Sequence, residues 1–427
     1  PKPDPAKTVR WTVPAMSDAV DARNNDEFRT LLKTLWDAGL VALIRILFQR
    51  FGGVQIPAGT PDASVLDLLP IKGELAKLAE LEFQLGRRAE VHFNEPNGEI
   101  RKEFIIDPQD SSLPPDTRLH KVNKEDLAFF AGDKNPDRFR GGWWHDNGSR
   151  YGLPGTLHRV SGISGRQKDL IGVIVRVGRT VEGTVERMLP ESLRRCSSSI
   201  LLVGPPNSGK TTVLREFSRL LSDQDNRVVV VVDKTSEIAG ASNEPHPAIG
   251  ESARWVPVDN PSNQHSYMRK AVENLAPDSV VVDEISSESE CEAAKTISQR
   301  GVQLVATVHG RSLTELVNDQ CRSSLLGGVT SVTLSKQEVE SRMARGGSAQ
   351  KQVMMRKYEP LFGLVVELHT RELWYVHQDP KEVVDAYLRR EPVIAWRATP
   401  GKFEQVVAHP EEGGFRYEPE LPAAESA

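Results

Sequence analysis

Apolar positions divide this chain into stretches of different period. From Ser17 to Phe51 they recur at helix spacing. Phe28, Leu31, Leu32, Leu35 and Trp36 fall on one face, and Gly39 interrupts the pattern. Leu40–Phe48 is the most apolar run near the start, but it is too short for a bilayer and carries Arg45, so it reads as buried helix. Residues 1–65 are thus a helical N-terminal extension. Over 66–155 the pattern is that of a small α/β domain. Leu81, Phe83 and Leu85 alternate, Gly86 turns, and Ala89–Phe93 alternates again. Lys121–Ala131 reads as a short helix. The stretch 132–154 is a loop that Trp143 and Trp144 either anchor or offer as a stacking surface.

Thr156–Gly178 reads as a hairpin, with strands Leu157–Ile163 and Leu170–Val177 about a turn at Gly165–Asp169. Gly183–Leu193 is a short helix. Beyond it, strand-length apolar runs alternate with helical stretches. The strands are Ile200–Val203, Arg227–Val232, Val280–Val282 and Val302–Val308. One helix opens at Pro261, and another at Ser286 as N-cap. This alternation predicts an α/β domain over 156–372, with a mostly parallel sheet and helices on both faces. Gly327–Leu334 and Leu361–Leu368 add β material, and Leu373–Val376 pairs with the latter. Val383–Leu388 fits one helical face. After Gly401 the chain turns acidic and Pro-rich, so 373–427 reads as a helix and a loosely ordered tail.

The chemistry concentrates after the Ile200–Val203 strand. Gly204, Pro205, Pro206, Asn207, Ser208, Gly209, Lys210 and Thr211 spell G-x-x-x-x-G-K-[ST], with Thr212 next. Glycines let the backbone turn so that its N–H groups point at a polyphosphate. Lys210 supplies a charge for the outer phosphates, and the Thr211 hydroxyl can ligate Mg²⁺. The motif requires a helix behind it, and Val213, Leu214, Phe217, Leu220 and Leu221 supply its apolar face. The strand Val280–Val282 ends in Asp283 and Glu284. An Asp there holds Mg²⁺, and the adjacent Glu is placed to take a proton from attacking water. His309 closes the next strand and reads either as a γ-phosphate sensor or as a hydrogen-bonded surface residue. Glu237, in the DKTSEIAG stretch after the second strand, reads either as a γ-phosphate contact or as a loop acid.

Composition narrows this further. The chain has 427 residues and a net charge of −5, so nucleic acid would need a local basic patch. Lys336–Lys357 is the candidate, with Lys336, Arg342, Arg345, Lys351, Arg356 and Lys357 against Glu338 and Glu340. It reads as a solvated excursion or as a mobile gripping loop. Three cysteines, odd in number and widely spaced, argue against a disulfide framework or a zinc site and for a reducing compartment. No secretory signal is evident. The first residue is Pro1 rather than Met, which fits a removed targeting peptide or a trimmed chain. Asn123-Lys-Glu-Asp126 matches the guanine-reading pattern, but it precedes the phosphate loop, and no Asp-x-x-Gly stands at the acidic strand end.

Taken in order, TLHRVSGISGRQKDLIGVIVRVGRTVEG, the phosphate loop, DKTSEIAG, His246-Pro-Ala-Ile-Gly250, Asp283-Glu284, GVQLVATVHG and GGVTSVTL resemble the P-loop ATPases of the hypothetical chloroplast reading frame forty-five type. These are similar to the bacterial stage III sporulation AA ATPase and, more distantly, to hexameric secretion ATPases. The resemblance covers about Leu69–Leu368, and FQLGRRAEVHF fits the family's smaller N-terminal domain. It implies a RecA-like core, ATP with Mg²⁺ and a homo-oligomeric ring. It also implies a location in the plastid stroma, and an arginine that completes the site. By position the candidates are Arg159, Arg166, Arg176, Arg179 and Arg254, each of which also reads as a structural ion pair. The expectation is an Mg²⁺-dependent ATPase, with a nucleotide-gated scaffold or a nucleic-acid motor as alternatives.

Overall fold

The computed structural model describes residues 8–12, 18–37, 41–53, 55–56, 62–95, 99–105, 121–128, 130–131, 150–240, 244–344, 351–411 and 413–419. The chain divides into two compact units. The smaller comprises residues 16–181 and 239–246, and the larger comprises 1–15, 182–238 and 247–427. Trp143 and Trp144 lie outside the described residues.

The first strand, β1 (Val9–Arg10), belongs to the larger unit. The smaller unit opens with α1 (Asp18–Asp37) and α2 (Val41–Phe51). Phe28, Leu31, Leu32 and Leu35 of α1 and Ile44, Leu47 and Phe48 of α2 are buried in one core with Leu81, Phe83, Val91 and Phe93. The helices therefore cover the sheet rather than extend from it. That sheet contains β2 (Leu78–Gln84), β3 (Glu90–Asn94), β4 (Ile100–Phe104), β5 (Arg150–Gly152), β6 (Arg159–Ser164) and β7 (Leu170–Arg176) in the order β4-β3-β2-β7-β6-β5. All its neighbours are antiparallel.

The 156–178 hairpin forms as expected, but it completes this sheet instead of opening the nucleotide-binding domain. Val173 and Val175 pair with Phe83 and Leu81 on β2. Alternation specifies the two strands of a hairpin but not the third strand that covers its edge, so the boundary moves from 155 to 181. Asn123 and Asp126 are used locally. The Asn123 Oδ1 accepts the N–H groups of Glu125 and Asp126, which caps the short helix α3 (Lys124–Ala128). Residues 239–246 also belong to this unit, where His246 Nε2 lies 2.6 Å from the buried Glu27 Oε1.

The larger unit continues with α4 (Thr184–Met188) and α5 (Glu191–Arg194), the expected single helix divided at Pro190. Next come β8 (Ile200–Gly204), α6 (Lys210–Arg219), β9 (Val229–Asp233), β10 (Arg254–Pro257) and α7 (Gln264–Leu275). They are followed by β11 (Ser279–Val282), α8 (Glu288–Gln299), β12 (Gln303–His309) and α9 (Leu313–Asn318). The cap of α8 is Ser287, one residue later than expected, in a reciprocal box with Glu290. β13 (Val329–Thr333), α10 (Lys336–Ala344) and β14 (Gln352–Arg356) then form a two-stranded excursion. The basic stretch is thus partly helix and strand.

The chain returns through β15 (Leu364–Leu368), β16 (Trp374–His377), α11 (Pro380–Arg389), β17 (Val393–Thr399), β18 (Lys402–Glu411) and β19 (Gly414–Pro419). The sheet order is β1-β18-β17-β16-β15-β8-β12-β11-β9-β10, with β19 on β18. From β15 to β10 every neighbour is parallel. The expected loose tail is instead an antiparallel extension of this sheet. Val393, Ala395, Phe403, Val406 and Ala408 are buried, and the acidic, Pro-rich composition of the segment conceals this pattern in the sequence.

Candidate functional site

β8, β11 and β15 are buried throughout and β12 as far as Val308, as the Val/Leu/Ile runs require. Ligands in such sheets bind beyond the carboxyl ends of the strands. Gly204 ends β8 with no room for a side chain, since a β-carbon there would lie 2.9 Å from the Leu368 carbonyl oxygen. Asn207 and Gly209 take left-handed φ values of 64° and 97°, which turns the loop into α6. Val213, Leu214, Phe217, Leu220 and Leu221 are all buried behind the loop.

Lys210 is 7% exposed, and its Nζ donates to the Gly204 and Pro205 carbonyl oxygens at 2.8 Å each. The same Nζ lies 3.3 Å from His309 Nδ1 at the end of β12. On the other side of the ring, His309 Nε2 lies 3.4 Å from Glu284 Oε2. An ammonium can only donate, so Nδ1 accepts and the ring proton sits on Nε2, directed at Glu284. Burial lowers the Lys210 pKa to about 8, against the opposing pull of Glu284, Asp283 and Glu237.

Asp283, at the end of β11, is buried, and its Oδ2 accepts from Thr235 Oγ at 2.7 Å. Burial raises its pKa; Thr235 opposes this, and the Glu237 charge adds to it. A buried carboxylate destabilised by a second carboxylate is a fit for a cation. Thr211, half-buried in the first turn of α6, adds a hydroxyl that bonds no described residue. Thr212 is likewise half-buried. Ser208 Oγ, enclosed by the loop, also has no partner among the described residues.

The supporting residues were less legible. Lys234 bonds the Glu284 carbonyl at 2.8 Å and Glu290 at 3.3 Å, while Gln264 bonds the same carbonyl at 3.0 Å, so Glu284 is held by its backbone. Asp233 accepts the N–H groups of Glu237 and Ile238 at 3.2 Å each. Arg215 of α6 donates to the carbonyl oxygens of the same two residues at 2.8 and 2.9 Å, which fixes the turn carrying Glu237. Arg322 grips the His309 carbonyl oxygen and bonds Asp319 at 2.7 Å.

Of the expected arginines, Arg176 bonds Glu80, Arg179 bonds the Leu78 carbonyl and Arg254 bonds the Leu275 carbonyl. Sequence reasoning missed Arg371. It stands on the turn between β15 and β16, where its Cγ would lie 3.9 Å from a β-carbon on Gly209. It is exposed and pairs with no described residue. Only the pairing of β15 with β8 brings it to the loop, so no local pattern could have marked it.

The family of sporulation stage III protein AA matches residues 147–332. The protein named ycf45 of Cyanidium caldarium is 35% identical over 242 residues, covering 56% of this chain and 69% of that protein. This chain belongs to the ycf45 family. The ycf45 protein of Porphyra purpurea is 39% identical, covering 75% of this chain and 51% of its own length. SEEDLING PLASTID DEVELOPMENT 1 of Arabidopsis thaliana is 36% identical, covering 69% of this chain and 45% of its own length. The chain therefore spans about half the length of these two relatives. Among solved structures, the pilus retraction motor PilT with bound ADP is 11% identical with a TM-score of 0.45, covering 73% of this chain and 82% of that one. The parallel sheet order and the phosphate loop of this ycf45-family chain are those of a P-loop, RecA-like NTPase fold. Among the described residues, no helix is long and apolar enough to cross a membrane.

Proposed function

We propose that this ycf45-family chain is an Mg²⁺-dependent ATPase. The observation that carries the reading is the line Lys210–His309–Glu284, set beside the buried Asp283 at the ends of three adjacent parallel strands. The loop amides from Gly204 to Thr212 and the Lys210 ammonium bind the phosphates. Thr211 and Asp283 hold Mg²⁺, which neutralises charge on the phosphate oxygens. Glu284 takes the proton of the attacking water. His309 orients the Glu284 carboxylate through Nε2–H and senses, through Lys210, whether a γ-phosphate has drawn the lysine away. Glu237 faces the same phosphate. Arg371 contacts the phosphates on the Gly209 side. Catalysis of this kind is mostly positioning and electrostatics.

The name SEEDLING PLASTID DEVELOPMENT 1 and the plastid relatives support action in a plastid, where hydrolysis drives a conformational step. A homo-oligomeric ring, as in motors of this fold, is the assembly we assign. The test is ATP binding to the parent chain and to Lys210→Ala. Binding is expected to be lost in the variant, and equal binding would refute the site.

A further inference from the structure

We propose that Glu80, Glu82 and His92 form a site for a divalent transition metal such as Zn²⁺, on the outer face of the smaller unit's sheet. Glu80 and Glu82 are two apart on β2 and so share a face. The β2–β3 register places His92 opposite Glu80 and Glu90 opposite Glu82. Each of Glu80, Glu82 and His92 offers one ligand atom, and these atoms lie within 4.8 Å of one another. The other face carries Leu81, Phe83, Val91 and Phe93 into the core, which fixes the strands that hold the site.

The imidazole shows why a cation belongs there. His92 is 7% exposed, and its Nε2 lies 2.6 Å from Glu90 Oε1. A contact this short places the ring proton on Nε2, shared with Glu90. Nδ1 then presents its lone pair to Glu80 Oε1 at 3.2 Å. Two lone pairs facing at that distance repel unless a positive charge lies between them. A second ring proton would join only Nδ1 and Glu80. It would leave the half-buried Glu82 carboxylate as it stands, with no hydrogen bond or ion pair to any described residue. A metal ion uses all three.

Among the described residues the direct ion pairs are Arg176 at 3.0 Å from Glu80 and Lys102 at 3.5 Å from Glu90, and neither cation reaches Glu82. One nitrogen with carboxylate oxygens suits zinc or its transition-metal neighbours better than Mg²⁺ or Ca²⁺, which take oxygen. Glu90 on the far nitrogen is the outer carboxylate that orients a metal-bound histidine. Three protein ligands leave a coordination position open. A cavity of about 520 Å³ adjoins the site, lined by Glu82, Glu90, Arg87, Arg88, Phe104 and Lys121, and it gives solvent or an anion access to that position.

The test is calorimetric titration of the full chain with Zn²⁺ alone, without nucleotide, beside Glu82→Gln, Glu90→Gln and His92→Gln. Glu82 has no partner to lose, so Glu82→Gln should melt like the parent in the absence of metal. The parent is expected to bind one zinc per chain, His92→Gln none, and the two glutamine-for-glutamate variants zinc at least ~10-fold more weakly. Zinc should also raise the melting temperature of the parent and not that of Glu82→Gln. No zinc uptake by the parent, or equal affinity in the parent and Glu82→Gln, would overturn the proposal.

Discussion

The Lys210 ammonium stands 3.3 Å from His309 Nδ1 and donates to it. The contact joins the loop expected to bind phosphate to the ring that reaches Glu284. It forms because β12 pairs with β8 in parallel, with His309 opposite Gly204. It also has a pH signature. Burial brings the Lys210 pKa down to about 8. Phosphate binds the charged amine, so ATP affinity should be flat below neutrality and fall as pH rises through that value, by up to about tenfold per pH unit. The effect on folding has the opposite sign. The folded chain holds fewer protons than the unfolded chain between about 8 and the ordinary lysine value, so this group's share of stability rises with pH there. Calorimetry of ATP binding across this range checks the first statement. Lys210→Arg, which stays charged, should flatten the curve.

Arg371 makes no bond with any described residue, yet it lies against Gly209. A guanidinium left free beside a phosphate loop has one evident use. A charge-assisted contact is worth about 1.5–3 kcal/mol, so Arg371→Ala should weaken ATP and ADP alike by about 10- to 100-fold. Turnover at saturation should change little. Arg371→Lys should recover part of the affinity if the contact is with phosphate. Unchanged affinity in Arg371→Ala would leave the arginine outside the site.

Glu367 is fully buried on β15. Burial alone would raise its pKa. Hydrogen bonds from His369 and His377, the charge of His377 and the Leu313 N–H outweigh that and hold it down at about 2. Tyr417 of β19 adds a bond at 2.9 Å, and the Leu313 N–H one at 2.7 Å. This carboxylate therefore ties the last strand and the start of α9 to β15. Because its folded pKa is lowered, its stabilisation is present above the ordinary glutamate value and is lost as pH falls from there towards 2. Glu367→Ala should cost about 3 kcal/mol, since it leaves buried partners unpaired. Urea unfolding near neutrality and at low pH measures both effects, and the variant should lose stability less steeply in acid than the parent.

The residues of the candidate nucleotide site were legible because their patterns are local. The loop motif, the strand ending in Asp283 and Glu284, and the strand ending in His309 are short patterns that can be read without knowing which strands pair. The parallel sheet followed from apolar runs alternating with helices. What could not be read depended on pairing between distant strands. The 159–176 hairpin looked like the start of the second domain because its own alternation does not name β2 as its neighbour. The acidic tail looked unstructured because its acids and prolines dominate the composition, which outweighed the short apolar pattern of Val393, Ala395, Phe403 and Val406. Arg371 and Arg322 reach the site only through tertiary placement. The Glu80–His92 pair is likewise a cross-strand relation that no sequence spacing displays.

In the proposed mechanism Glu284 takes a proton from water attacking bound ATP. The most direct measurement is phosphate release from saturating Mg·ATP by the parent chain and by Glu284→Gln, with nucleotide binding measured on both. The parent should turn over, the variant should lose about 10²–10⁴-fold of that rate, and its ATP affinity should stay close to that of the parent. Equal phosphate release from the two proteins, or ATP bound and recovered intact from the parent, would contradict it.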